Sequence, residues 1–443
     1  MFGRHTFSIV VLLLAATLVG CGGRLDATPA PTTIPLHTAR PTVEPATHIP
    51  TATRPAEATL THTPTATRPP EATLTHTPTA TRPAEATATA ASPPTRVVPP
   101  QEAISLPRGF GISVFFQGLS DPRMMALGPD GALYVAERGA GRIVRLPDRD
   151  GDGVTDEVEV VARGLRAPSS IAFYVDGSLY VGETTRILRL SDPDGDGVFQ
   201  EQEVVIGGLP SGGHSTRTVL FSPDGEYLYV SIGSSCNVCV ESDERRAAIM
   251  RYNPDGSDGE VYARGLRNAV GITFRPGTSD LWATNNGRDR LGDDLPPETI
   301  YKVNEGEDAG WPRCHAGRIV DPDLGEPGDC EGVAAPLVEM QAHSAPLGLT
   351  FYTGEQFPEE YHDDLFVAFH GSWNRSVPTG YKVVRIPMED GEPAPVQDFA
   401  AGWLREDGSR WGRPVDVLAG PDGSLFISDD EGGAIYRVFY AAE

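Results

Sequence analysis

The chain has 443 residues, with 61 Asp and Glu against 36 Lys and Arg, a formal net charge of −25 at pH 7. That balance, with no basic stripe to offset it, argues against nucleic acid as a partner. Beyond the N-terminus no apolar run is long enough to cross a bilayer.

At the start, Arg4 and His5 precede an apolar run from Phe7 to Leu18, and Leu18-Val19-Gly20-Cys21 follows. This fits a bacterial lipoprotein signal over residues 1–20, with Cys21 as the lipidated new N-terminus; the alternative is an ordinary secretory signal that happens to contain a Cys. The expected location is outside the cytoplasm, with the lipid as the sole membrane anchor. Residues 21–102 read as a disordered Pro/Thr/Ala-rich linker, in which Pro50-Thr51-Ala52-Thr53-Arg54-Pro55 recurs from Pro64 and Pro78. Such a tract has too few apolar groups to bury a core.

Residues 103–443 repeat one pattern six times: an apolar stretch, a turn, a strand, and an answering strand with a basic residue. Clear copies of turn and strand are Pro129-Asp130-Gly131-Ala132-Leu133-Tyr134-Val135, Val175-Asp176-Gly177-Ser178-Leu179-Tyr180-Val181 and Pro421-Asp422-Gly423-Ser424-Leu425-Phe426-Ile427. Answering strands include Ile143-Val144-Arg145-Leu146, Ile187-Leu188-Arg189-Leu190 and Ile435-Tyr436-Arg437-Val438. Short β units at this spacing predict an all-β, six-bladed β-propeller.

Two loops of the early blades are rich in aspartate. Asp148, Asp150, Asp152, Gly153, Asp156 and Glu159 stand at positions 1, 3, 5, 6, 9 and 12 of a calcium loop, and Asp192, Asp194, Asp196, Gly197 and Glu203 at 1, 3, 5, 6 and 12. Carboxylates gathered by a Gly turn suit a hard cation. Because the loops join strands rather than helices, a stabilising role is expected, with a solvated acidic hairpin as the alternative. Setting Cys21 aside leaves Cys236, Cys239, Cys314 and Cys330. An even number outside the cytoplasm reads as disulfides, and of the three pairings proximity favours Cys236–Cys239 and Cys314–Cys330. Haem attachment is disfavoured by Val240, where that motif needs His.

Residues at the start of each innermost strand converge on one mouth of a propeller's channel. His214 lies nine residues before Pro223, Arg267 nine before Pro276 and Arg413 eight before Pro421, with Asn268 and Arg123 in nearby slots. A histidine, an amide and several guanidiniums are therefore expected to face one another.

These residues sit within Gly213-His214-Ser215, Gly265-Leu266-Arg267-Asn268, Asn285-Asn286-Gly287-Arg288-Asp289, Gly310-Trp311-Pro312 and Arg413-Pro414-Val415-Asp416-Val417. In that order and spacing the chain resembles the soluble glucose dehydrogenase and sorbosone dehydrogenase family, six-bladed propellers that hold pyrroloquinoline quinone (PQQ). The resemblance implies oxidation of an aldose or sugar aldehyde, with His214 as general base. It also implies Arg267 and Asn268 at the quinone oxygens, Arg413 at a PQQ carboxylate, and calcium held partly by backbone carbonyls of Gly287 and Arg288. The glucose enzymes carry Asp where this chain has Gly213, an orienting Asp where it has Ser234, and Arg where it has Val415. Their cofactor-binding Lys has no clean counterpart, leaving Arg375 or Lys382 to supply the charge. These departures point toward the sorbosone branch. A non-catalytic propeller binding a glycan or protein is the competing reading, and a calcium-dependent lactonase ranks below both.

Overall fold

The computed structural model describes residues 103–441. The signal over 1–20, Cys21 and the linker over 21–102 lie outside the described residues.

Six four-stranded antiparallel sheets form the blades of a propeller. Their innermost strands are Pro122–Leu127, Ser170–Phe173, Arg217–Phe221, Ile272–Phe274, Pro346–Phe351 and Pro414–Ala419. In blades 1 to 5 the order from the channel outward follows the chain. In blade 6 the strands Pro414–Ala419, Leu425–Asp429 and Ala434–Tyr440 are completed by Phe110–Gln117 from the start of the domain, which closes the ring. Every second strand is buried along its whole length, for example Leu133–Glu137, Leu281–Asn285 and Leu365–Phe369. These strands are rich in aromatic and β-branched residues, because each blade face packs on a neighbouring blade.

The basic residue of the third strand is a staple within the blade. Arg145, Arg189, Lys302, Arg385 and Arg437 reach back to the turn carboxylates Asp130, Asp176, Asp280, Asp364 and Asp422. Blade 3 differs: Arg251 pairs with Glu260 and lies over the rings of Tyr227 and Tyr262. Neighbouring blades are also tied near the channel: Thr218 Oγ1 donates to Val270 O, Thr284 Oγ1 of the second strand in blade 4 donates to Leu347 O (2.8 Å), and Asp416 accepts from Met125 N (2.8 Å). Met124, Val270, Leu347 and Val415 form a buried apolar plug in the channel.

Alternating strand direction divides the functional features between two faces. The starts of the inner strands and the loops after the second strands share one face. The Asp-Gly turns and the loops after the third strands, including both Asp-rich loops, share the other. The disulfides are Cys236–Cys239 and Cys314–Cys330, the pairing expected from proximity.

Candidate active site at the channel mouth

His214 precedes the inner strand of blade 3, and its Nδ1 lies 3.0 Å from both the carbonyl oxygen and the hydroxyl of Ser234. Ser234 donates its own hydroxyl proton to Cys236 O at 2.7 Å. The carbonyl can only accept, so Nδ1 carries the ring proton and Nε2 is left as the basic nitrogen. Among the described residues Nε2 has no hydrogen-bond partner. Ser234 thus orients the ring without a carboxylate, through a main-chain oxygen that no side-chain pattern reveals.

Gly213 is also explained. Its φ is +59°, and a Cβ there would come within 2.4 Å of Ser235 Cα and 2.5 Å of Ser234 O. The backbone passes too close for any side chain, so an aspartate has no room. Gly233 is equally constrained: a Cβ would meet Asn268 Oδ1 at 2.4 Å and His214 Cβ at 2.6 Å. That gap brings the histidine and the amide together.

The surroundings of His214 are positive. Arg217 and Arg246 both donate to His214 O, at 3.0 and 3.4 Å, and their other hydrogen bonds also go to backbone carbonyls. Burial, and then the charge of Arg267, push the His214 pKa down to about 4; the Ser234 backbone pulls the other way, and Arg246 and Arg217 add smaller downward pushes. The ring is therefore neutral near pH 7.

Arg267, 4% exposed, spends all five N–H groups on protein acceptors. Nε donates to Asn237 O (3.0 Å), one terminal nitrogen to Asn286 O (3.3 Å) and Gly287 O (2.7 Å), and the other to Asn237 Oδ1 (3.0 Å) and Asp289 (2.8 Å). It offers a fixed charge rather than a spare donor. Asn268, by contrast, has no side-chain hydrogen bond among the described residues and is the amide available at the mouth. Gly287 N donates to the buried carboxylate of Glu298 at 2.6 Å. Burial pushes that carboxylate up to about 7 despite its N–H donors. The Arg288 side chain turns away to Asp321 and Asp323.

A second cluster lies where blades 5, 6 and 1 meet. His370 Nε2 is 2.9 Å from Asp430, which also pairs with Arg123 at 2.6 Å. Arg413 donates to His370 O (3.0 Å) and Gly371 O (3.3 Å) and has no carboxylate bond, which leaves N–H groups free. Val415 is wholly buried in the apolar plug beneath it. Neither proposed substitute for the missing Lys joins this cluster. Lys382 is turned to Asp398 on the outer strand, and Arg375 engages Asp293 O and Asp294 in the adjoining loop.

Sequence reasoning passed over Asn237, Arg217, Arg246, Glu298 and Asp430. A signal for the last existed: Arg138, Asn286, His370 and Asp430 each directly follow the second strand of a blade. That slot lies on the same face as the inner-strand starts.

On the opposite face, Asp148, Asp150 and Asp152 bring carboxylate oxygens within 4.8 Å of one another, as do Asp192, Asp194 and Asp196. The remaining expected ligands are placed elsewhere. Asp156 accepts from Arg149 N at 2.7 Å, Glu159 pairs with Arg145 and Arg149, and Glu203 stands exposed opposite Arg189 in the ladder. Arginines hold Glu159, and the β-ladder alone places Glu203 on the fourth strand. Gln200 binds Asp194 and Asp196 instead, at 2.8 and 3.1 Å.

Residues 101–436 match the family described as "Domain of unknown function (DUF7133)". An uncharacterized protein of Borreliella burgdorferi is 30% identical over 353 residues, 76% of this chain and 91% of its own length. A pyrroloquinoline quinone-dependent pyranose dehydrogenase of Coprinopsis cinerea is 25% identical over 408 residues, covering 76% of this chain and 55% of that protein. The holo structure of its PQQ domain superposes with a TM-score of 0.66 at 24% identity, over 76% of this chain and 97% of that one. A calcium structure of a Trichoderma reesei family AA12 protein gives 0.68 at 21% identity, over 78% and 99%. These likenesses bear out the six-bladed fold and the resemblance to PQQ-dependent sugar dehydrogenases.

Proposed function

Since the chain belongs to the family of the DUF7133 domain, with PQQ-dependent sugar dehydrogenases among its relatives, we propose that it is itself a PQQ-dependent oxidoreductase of an aldose or sugar aldehyde, of sorbosone type, working outside the cytoplasm. One observation carries the reading: a neutral histidine with a free, oriented Nε2 at a mouth where the guanidiniums of Arg217, Arg246 and Arg413 bond backbone carbonyls rather than carboxylates. The two disulfides support an oxidising compartment.

The residues fit an anionic quinone. Arg413 supplies charge for a carboxylate on one side, and Asn268 supplies a free amide on the other. The carbonyls of Gly287 and Arg288 would hold calcium. Bound there, PQQ would supply the hydride acceptor and calcium would supply a Lewis acid beside it. The chain's own part is acid–base and electrostatic. His214 Nε2 takes the substrate hydroxyl proton while Ser234 holds Nδ1–H, and the Arg267 charge stands where negative charge develops. The Asp148 and Asp192 loops are read as stabilising calcium sites.

The lactonase reading loses support from two of the buried carboxylates. Glu298 is spent on Gly287 N and Ala345 N, and Asp416 on Met125 N. The test is to load purified protein with calcium and PQQ, desalt it, and assay aldoses with an artificial electron acceptor. Retained PQQ absorbance with turnover is expected. Protein that emerges without PQQ at every calcium concentration would instead support a non-catalytic binding propeller.

A further inference from the structure

We propose that the Cys236–Cys239 turn is a positioning device for both His214 and Arg267, acting through Cys236 O and Asn237. The inference rests on the reading of those two residues as base and fixed charge. Cys236 O accepts the Ser234 hydroxyl that faces His214 Nδ1. The next residue, Asn237, makes five hydrogen bonds. Its carbonyl accepts from Arg267 Nε (3.0 Å) and Trp311 Nε1 (3.3 Å). Its side chain accepts from Arg267 (3.0 Å) and Asp289 N (2.8 Å), and donates to Asp289 O (3.0 Å). Consecutive residues of one half-buried loop therefore serve the base in blade 3 and the guanidinium and 287–289 segment of blade 4.

Such a loop would lose that geometry to chain entropy if it were free. Three constraints hold it. The disulfide bridges a separation of three residues around Asn237, and Ser235 is fastened by its N and its hydroxyl to Glu241, at 2.6 and 2.7 Å. The third is the asparagine's paired bonds to Asp289, which need a donor and an acceptor on one short side chain.

The test uses the full chain, first without cofactor, by ¹⁵N NMR of the His214 ring assigned with His214→Ala. Wild type should show Nδ1–H as the single tautomer. Cys236→Ser/Cys239→Ser should give a mixture of tautomers. Asn237→Ala should raise the His214 titration midpoint as Arg267 is released, and weaken PQQ affinity by about 10- to 100-fold, the worth of lost bonds to a charged group. Leu190→Ala, a core truncation in blade 2, is the control for lost stability alone. Should the double Cys variant fail to fold, Asn237→Ala decides by itself. An unchanged His214 tautomer and titration in these variants, or changes no larger than in the Leu190→Ala control, overturns the proposal. If wild type binds no PQQ, the ring measurements still decide the clamp, while the functional reading fails separately.

Discussion

Two histidines stand at this mouth, and both are pushed down to about 4, chiefly by burial. Their partners differ. His370 has its Nε2 committed to Asp430, itself paired with Arg123, so its charge environment is closed. His214 has arginines rather than a carboxylate beside it, and its committed nitrogen faces a main-chain oxygen. A carboxylate partner is therefore a poor marker for the base here; a free nitrogen of fixed tautomer is the better one. His370 belongs to the frame that holds Arg413, and His214, in the proposed function, to the chemistry.

The sharpest way to break this contrast is truncation. His214→Ala should retain PQQ and lose about 10²–10⁴-fold in turnover, the usual worth of a positioned base. His370→Ala should cost about 2–4 kcal/mol of stability, from a cavity and an undone charge pair, and leave the chemical step far less affected. Stopped-flow reduction of the bound quinone, beside thermal melts, separates the two. Equal turnover losses would put the base elsewhere.

Giving His214 what His370 has is the next test. Ser234→Asp should raise the His214 pKa by about one unit or more, toward the ordinary value of about 6.5. An NMR titration midpoint that stays put would mean the introduced carboxylate does not reach the ring.

Stability should respond to both rings with one sign. A histidine lowered to about 4 in the folded state is neutral there while the unfolded chain already takes up a proton near pH 6.5. Its stabilising contribution is thus complete above about 6.5 and is lost as pH falls toward about 4. Asp416, raised by burial to about 7, works in the opposite direction over much of that window. Comparing wild type with His214→Ala across pH isolates the ring: the difference in melting temperature should shrink as the medium is acidified. A pH-independent difference would show that His214 titrates normally.

The smallest effect is expected from the far face. Chelation should lower the melting temperature by mass action if the Asp loops bind calcium in the native state, and Asp150→Ala with Asp194→Ala should remove most of that response. An identical melt in chelator would leave them as acidic hairpins.

Residue types and spacing carried much of this architecture. Asp130-Gly131 and Asp422-Gly423 announced the blades, and Arg145 and Arg437 the strands that answer them; the Arg–Asp staples show why the two recur together. The slots of His214, Arg267 and Arg413 foretold their shared face. Backbone geometry was beyond that reading. Ser234 looked like a missing aspartate because the partner of Nδ1 is partly a carbonyl, and Gly213 looked like a lost side chain because its positive φ is not written in the sequence. Glu159 occupied a ligand position by count, but the β-ladder sets it against Arg145.

The seam in blade 6 has a consequence for how the protein is made. Its outer strand, Phe110–Gln117, is synthesised first in the domain, and its partner, Ala434–Tyr440, last. A growing chain on the ribosome can stack blades 1 to 5 in order, since each is contiguous, yet both ends of that stack remain open sheet faces until the last strands of blade 6 are made. The mouth cannot assemble before then either, because Arg413 and Asp430 arrive with the final blade. Nascent chains must therefore be shielded from association through those open blades for nearly the whole of translation, and the pocket at the mouth exists only once the final blade is made.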